Sequence, residues 1–370
     1  MELFLSNKKH GEMKSSKIIL PSRTSSLKQL NRLLNSAAYK GRRYFILTDE
    51  NTGVHCLPRL ITEVEAFQES EFLEIESGEQ NKSLEIAAEL WQALEEMGAD
   101  RQSVLVNLGG GVVSDLGGFV AAGYKRGISY INIPTSLIGM IDAGVGGKTA
   151  VNLGGLKNQV GFFHFPEVVC IEPVFLETLS AKDWTSGVCE MLKTFMVADA
   201  QMYVSLVDTL KSDHPVMDNE MIKAAVHIKD GIVKADAYDT GIRKMLNYGH
   251  TVGHAVESFS MAHDAEPLSH GQAVGIGLIA ETFISTKKMG FPNERLEELK
   301  ELVCSMVPMP KYEMKDMEEL LGYMLADKKN HDGNINCTLL GDLGETVVDN
   351  VVTEVDLCEA LMMVGKIGRA

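Results

Sequence analysis

Residues 103–124 read SVLVNLGGGVVSDLGGFVAAGY. An apolar run stops at three glycines, and a stretch of small residues follows. The first part reads as a buried strand and the second as a helix, with the glycines as a tight strand-to-helix turn. At such a turn the unpaired N–H groups of the helix start can approach an anion. The spacing is not GxGxxG, so the standard dinucleotide fingerprint is absent. The same alternation extends outward. YFILTDE (44–50), ISYINIP (128–134) and EVVCIEP (167–173) read as strands, the last two stopped by proline. SLEIAAELWQALEEMG (83–98) has helical periodicity and ends at Gly98, a C-cap residue. Strands alternating with helices predict a mostly parallel sheet covered by helices.

From about residue 180 the pattern changes to long helical stretches: DWTSGVCEMLKTFMV, NEMIKAAVHIKDGIVKADA, GQAVGIGLIAETFISTKKMG and NERLEELKELVCSM. Only NINCTLLGDLG (334–344) reads as extended. We therefore expect an α/β domain over residues 1–179 and a mainly α-helical domain over 180–370, with a ligand cleft between them. A chain of 370 residues, 45% hydrophobic, supports two such cores. The net charge of −16 argues against a nucleic-acid partner, which calls for a basic face. It leaves room for a small anionic ligand met by a few lysines. The six cysteines are scattered with no CxxC, which reads as reduced thiols in a cytoplasmic protein. No signal-peptide pattern opens the chain, and no apolar run reaches the roughly 18 residues of a membrane span.

Several short patterns carry chemistry. GVGGKTAVNLGGLKNQVG (144–161) sets Lys148, Lys157 and Asn158 among glycines, a loop where backbone and ammonium groups can meet one anion. Asp49 ends a strand, where an acid can hold a ribose hydroxyl or simply cap a helix. SGEQNK (77–82) can grip a nucleotide or cap the helix after it. Glu190 and Lys193 in CEMLKTF share a helix face, which alone reads as a surface salt bridge. In NYGHTVGHAVE (247–257), His250 and His254 lie four apart on one helical face. Thr251 follows His250, so the zinc-protease pattern with its adjacent glutamate fails. SHGQAVG (269–275) places His270 at another helix start. One acid with two or three histidines makes a candidate catalytic zinc site with a position left for substrate.

Taken in order, GGGVVSDLGGF, RGISYINIPTSL, IDAGVGGKTAVNLGGLKN, FLETLSAKDWTSGVCEMLK, GIRKMLNYGHTVGHAVE, SHGQAVGIG and DKKN resemble the 3-dehydroquinate synthase family over most of the chain. The resemblance implies a Rossmann-like NAD-binding α/β domain, a helical metal- and substrate-binding domain, and a homodimer. It implies conversion of 3-deoxy-D-arabino-heptulosonate 7-phosphate to 3-dehydroquinate and phosphate, a lyase step of aromatic amino acid biosynthesis. The steps implied are transient oxidation by NAD, β-elimination of phosphate, reduction and an intramolecular aldol closure. The implied metal, Zn2+ or Co2+, falls on Glu190, His250 and His270. NAD contacts fall on Asp49, Glu79, Lys82, Gly111, Val112, Val113, Ser114, Asp115, Thr135, Ser136, Asp142, Lys148, Lys157, Phe175 and Thr178. Substrate contacts fall on Lys148, Asn158, Lys193, Lys229, Arg243, Asn247 and His254, with Arg126 reaching the site of the second subunit. Lys328 or Lys329 is expected at the phosphate.

Four features depart from the usual pattern of that family: Ser114, Ser136, a missing basic residue near Asn334 after DKKN, and Gln272 where glutamate is common. Loss of that charge is expected to bear on metal affinity. The alternative within the superfamily is a sugar phosphate cyclase with another substrate. Iron-type alcohol dehydrogenases place aspartate first among their metal ligands and lack the GGKTA…KN lysine pair, so Glu190, Lys148 and Lys157 oppose that reading. A scaffold protein would not keep every metal and lysine position filled.

Overall fold

The computed structural model describes residues 16–154, 156–212, 217–326 and 335–369. The DKKN segment, with Lys328 and Lys329, lies outside the described residues.

In the α/β half, β1 (Lys17–Ile19), α1 (Ser26–Leu34), β2 (Tyr44–Asp49), α2 (Glu50–His55), α3 (Leu57–Glu63), β3 (Glu71–Ile75) and α4 (Leu84–Glu96) come first. Next are β4 (Val104–Gly109), α5 (Gly111–Gly123), β5 (Ser129–Pro134), β6 (Lys148–Leu153), β7 (Leu156–Phe163) and β8 (Val168–Cys170). The helical half contains α6 (Ala181–Ala198), α7 (Ala200–Leu210), α8 (Asn219–Ala235), α9 (His250–His263), α10 (His270–Lys288), α11 (Asn293–Met306) and α12 (Met317–Leu325). It closes with β9 (Ile335–Asp342), β10 (Glu345–Val352) and α13 (Glu354–Ile367).

The apolar run at 103–109 becomes β4, buried along its length inside a six-stranded sheet of order β1-β8-β5-β4-β2-β3. Every pairing in that sheet is parallel, as strand–helix alternation requires. Strand β2 is followed by β3 on one side and β4 on the other. The chain therefore reverses its direction of travel there, and a crevice opens beyond the carboxyl ends of β2 and β4. Asp49 ends the first of these strands and the glycine turn ends the second.

Side chains alternate across the sheet. Phe45, Leu47 and Leu105 point to α4 and α5, where they meet Leu90, Leu94, Leu116 and Phe119. Tyr44, Ile46 and Val106 point to the other face. That second apolar cluster continues through Leu137, Met140 and Ile141 into Val188 and Leu192 of α6, Val252 of α9 and Ile276 of α10. Apolar packing thus crosses residue 180 without a break.

The sequence reading leaves out strands β1 and β3 as well as the two segments that follow. GVGGKTAVNLGGLKNQVG is not a loop: β6 and β7 form an antiparallel hairpin, with Thr149 beside Gly118 of α5 and Phe162 tilted against Phe119. Its glycines hide the two-residue period of TAVN. Strand β10 was likewise missed, although its burial alternates along most of its length. It pairs with β9, the one stretch of the helical half read as extended.

Candidate active site

The three candidate metal-binding residues sit on three neighbouring helices. Glu190 is in the middle of α6, while His250 and His270 are the first residues of α9 and α10. Backbone contact between these helices brings the side chains together. A Cβ on Gly277 of α10 would lie 1.9 Å from the Gly249 carbonyl, and one on Gly271 would lie 2.0 Å from the Ser186 carbonyl. The start of α9 is capped from across the bundle. Glu281 of α10 accepts the Gly249 N–H at 2.8 Å and the Val252 N–H at 3.0 Å. A buried carboxylate there offsets the positive helix end and holds His250 in place.

The imidazoles are oriented from behind. His250 Nδ1–H donates to the Tyr248 carbonyl at 3.1 Å, and His270 Nδ1–H to Glu257 Oε2 at 3.0 Å. Both Nε2 atoms then face Glu190 Oε1, each at 3.4 Å. Glu190 is fully buried, and its Oε1 faces the two imidazoles. Lys193 Nζ lies 2.5 Å from Oε2 as an ion pair. Burial by itself raises the Glu190 pKa, but Lys193 and His270 outweigh it and hold it at about 2. Burial lowers that of His270, but Glu257 and Glu190 raise it to about 10. A buried charged carboxylate whose Oε1 stands between two Nε2 atoms anchored through Nδ1 fits a divalent cation with nitrogen and oxygen ligands, which would take the place of the Nε2 proton of His270. His254 lies in the same cluster: its ligand atom and those of His250 and His270 fall within 4.8 Å of one another. The geometry alone does not divide the three histidines between metal and substrate.

Cations surround this centre. Lys193, 1% exposed, also lies 4.0 Å from Asp142 Oδ1, and Lys229 Nζ of α8 donates to the same oxygen. The pair expected on the surface is therefore buried, and Asp142 bridges the two halves. Arg243, also buried, donates to the carbonyls of Ala237 at 2.9 Å and Gly146 at 3.2 Å. Lys148, opening β6, pairs with Asp239. Asn247 ends the short 3-10 turn before α9.

At the crevice, α5 begins at Gly111 with no side-chain cap, so its first N–H groups remain available to a pyrophosphate. Val113 and Ser114 are buried below the turn, while Gly111, Val112 and Asp115 are half-buried. Lys82 ties the region together, donating to Asp115 Oδ2 and to Asn158 Oδ1, each at 2.6 Å, with Glu79 at 3.9 Å. Asp49 caps α2, its Oδ1 taking the Thr52 N–H at 2.8 Å. Thr135 and Ser136 are buried just after β5, and Ser136 Oγ accepts the Gly139 N–H at 3.2 Å. Phe175 is buried and Thr178 exposed on the turn leading to α6. Arg126 is exposed on a left-handed turn after α5, and among the described residues no hydrogen bond or ion pair joins it to the other candidates. Gln272 is not spent on a metal. Its amide oxygen accepts the Ser269 N–H at 3.0 Å in a capping box at the start of α10.

Three residues went unread in the sequence: Glu257, Asp239 and Glu281. Glu257 had a signal, since it lies seven residues after His250 on the same helical face. Asp239 and Glu281 find their roles only through tertiary contacts.

Sequence comparison matches residues 72–186 to the model described as 3-dehydroquinate synthase N-terminal, and 187–330 to that described as 3-dehydroquinate synthase C-terminal. The 3-dehydroquinate synthase of Parabacteroides distasonis is 40% identical over 337 residues, 90% of this chain and 94% of that protein. Among solved structures, 2-epi-5-epi-valiolone synthase from Streptomyces hygroscopicus subsp. jinggangensis, with NAD+ and Zn2+ bound, superposes with a TM-score of 0.80 at 24% identity. That match covers 98% of this chain and 99% of the other. A 2-deoxy-scyllo-inosose synthase complexed with carbaglucose-6-phosphate, NAD+ and Co2+ gives a TM-score of 0.76 at 21% identity, covering 94% and 96%. These two likenesses establish the fold. Together with a three-helix acid–histidine centre ringed by cations, the sequence matches over most of the chain's length make it a member of the 3-dehydroquinate synthase family.

Proposed function

We propose that this protein converts 3-deoxy-D-arabino-heptulosonate 7-phosphate to 3-dehydroquinate and phosphate, using NAD and a divalent metal, Zn2+ or Co2+. The observation that carries this reading is the convergence of Glu190 Oε1 with the Nε2 atoms of His250 and His270, with Lys193 beside Glu190 and Lys229 joined to Lys193 through Asp142. In this reading residues 1–179 form the cofactor-binding domain and 180–370 the metal- and substrate-binding domain. Glu190, His250 and His270 hold the metal. The turn from Gly111 to Asp115, with Asp49, Glu79, Lys82 and Lys157, holds NAD.

A divalent metal held by Glu190, His250 and His270 would supply acidification of a substrate hydroxyl, and NAD would supply a reversible acceptor for the hydride on the carbon that bears it. The rest falls to this chain. Lys148, Lys193, Lys229 and Arg243 neutralise and orient a carboxylate and a phosphate, and Asn158 and Asn247 add neutral contacts. His254, one helical turn beyond His250, faces the phosphate. Fixing a leaving phosphate beside the proton to be removed lets positioning replace a strong protein base. Arg126, exposed and apart from the cluster, reaches the site of a second copy in a homodimer.

The test is turnover of 3-deoxy-D-arabino-heptulosonate 7-phosphate with catalytic NAD and Zn2+, the product coupled to dehydroquinate dehydratase. Equal amounts of phosphate and dehydroquinate without NADH accumulation are expected. No phosphate from folded, metal-loaded protein would move the assignment to a cyclase acting on a different sugar phosphate.

A further inference from the structure

Glu257 is 3% exposed, and each of its oxygens is committed to a different half of the molecule. Oε1 accepts from Lys157 Nζ at 2.5 Å, and Oε2 accepts from His270 Nδ1 at 3.0 Å. Lys157 stands on β7 of the hairpin in the α/β half, while Glu257 and His270 stand on α9 and α10. One carboxylate thus connects the hairpin lysine to the imidazole whose Nε2 faces Glu190.

We propose that Glu257 is a positioning residue through which dinucleotide binding at Lys157 and metal binding at His270 depend on each other. The inference rests on the assignment of NAD and metal above and names how the two sites communicate. A carboxylate behind a ligating histidine fixes its tautomer and strengthens it as a donor. How strongly it does so depends on how much of its charge another partner takes. With Lys157 on Oε1, part of that charge is neutralised. A dinucleotide that draws the ammonium to its own oxygens leaves Glu257 with more charge for His270, and the metal binds tighter. By linkage, the metal then tightens the dinucleotide by the same factor.

The experiment titrates metal-stripped full-length protein with Co2+ against a competing chelator, with and without saturating NAD+, and follows the visible cobalt bands. In the unaltered protein NAD+ should lower the Co2+ Kd by at least about fivefold and shift the bands. Glu257→Gln should weaken Co2+ binding by about 10–100-fold and abolish the response to NAD+. Lys157→Met should bind Co2+ without NAD+ as tightly as the unaltered protein does with it, and should respond no further. Unaltered Co2+ affinity in Glu257→Gln, or a full NAD+ response in either variant, would overturn the proposal. If Glu257→Gln does not fold, Lys157→Met decides alone. An unaltered protein that binds both ligands independently refutes the coupling and leaves the assigned function standing. One that binds neither refutes both.

Discussion

Lys148 opens β6 with its ammonium paired to Asp239 and with Arg243 and Lys229 in its field. Enclosure lowers its pKa, the two cations push the same way, Asp239 opposes them, and the result is a lysine near 8. Nearly half of its side chain is open to solvent at 48%, so the cations matter beside the enclosure. Such a lysine is charged at neutral pH and loses its proton just above it. If it grips an anionic substrate, kcat/KM should fall as pH rises through about 8, approaching tenfold per unit. Lys148→Arg should remove that limb whatever its absolute rate. Asp239→Asn should move the limb to lower pH, because the aspartate is what holds the pKa up. A pH–rate profile unchanged in Asp239→Asn would exclude Lys148 as the titrating group. Lys148 was legible because a lysine among glycines stands out, whereas its partner lies 91 residues further on. Glu257 lies 100 residues from Lys157, and no local pattern joins them. The Glu190–Lys193 spacing was legible too, but not its depth: exposures of 0% and 1% separate a buried charged pair from an ordinary surface one.

Among the elements, the crossing of α9 and α10 decides whether the site exists. Gly277 lets the α10 backbone touch α9 beside Gly249, one residue before His250. A Cβ at Gly277 would stand 1.9 Å from the Gly249 carbonyl and 2.7 Å from the Gly253 nitrogen, so the helices must separate to admit it. Gly277→Ala should therefore destabilise the protein by at least the roughly 1–3 kcal/mol of an overpacked core. It should also weaken metal binding by pulling His250 away from His270, measured as melting temperature and Co2+ stoichiometry. Gly231→Ala in α8 is the control. It is exposed with no atom within 4 Å of the added Cβ, so alanine should stabilise by about 0.5–1 kcal/mol. Equal melting temperatures for the two variants would show that the crossing is not tight. Periodicity revealed α6, α8, α10 and α11, and the apolar run ending in glycines revealed β4 and its turn. It could not reveal the crossing, because a glycine spared for a neighbouring backbone looks like any other glycine. The same residue type concealed the β6–β7 hairpin: glycines before β6 and between the two strands made the whole segment read as a loop, although β6 itself contains none.

Across the molecule, two kinds of contact join the halves. The larger apolar cluster runs from the sheet into α6, α9 and α10, so the halves should unfold together in one transition. Around the site the ties are polar: Lys229 to Asp142, Lys148 to Asp239, Lys157 to Glu257 and Arg243 to the Gly146 carbonyl. Each involves a side chain that the proposed function assigns to a ligand, so in that reading binding would rearrange contacts that join the halves. Asp142 has the most to hold, with Lys229 bonded to Oδ1 and Lys193 at 4.0 Å from the same oxygen. Asp142→Asn should lower stability by about 2 kcal/mol. That is less than the roughly 3–5 kcal/mol of a fully buried pair broken on one side, because 25% of the side chain is exposed and asparagine still accepts a hydrogen bond. Burial raises the Asp142 pKa, but Lys229 and Lys193 outweigh it and hold it below the ordinary 3.8. A carboxylate with a depressed folded-state pKa stabilises fully above its unfolded value and loses that contribution as pH falls below it. The melting curves of the metal-free protein and its Asp142→Asn variant should therefore be separated at pH 7 and converge as pH drops from about 4 toward 2. Curves that stay equally far apart down to the acid limit would show that the charge of Asp142 does not join the halves.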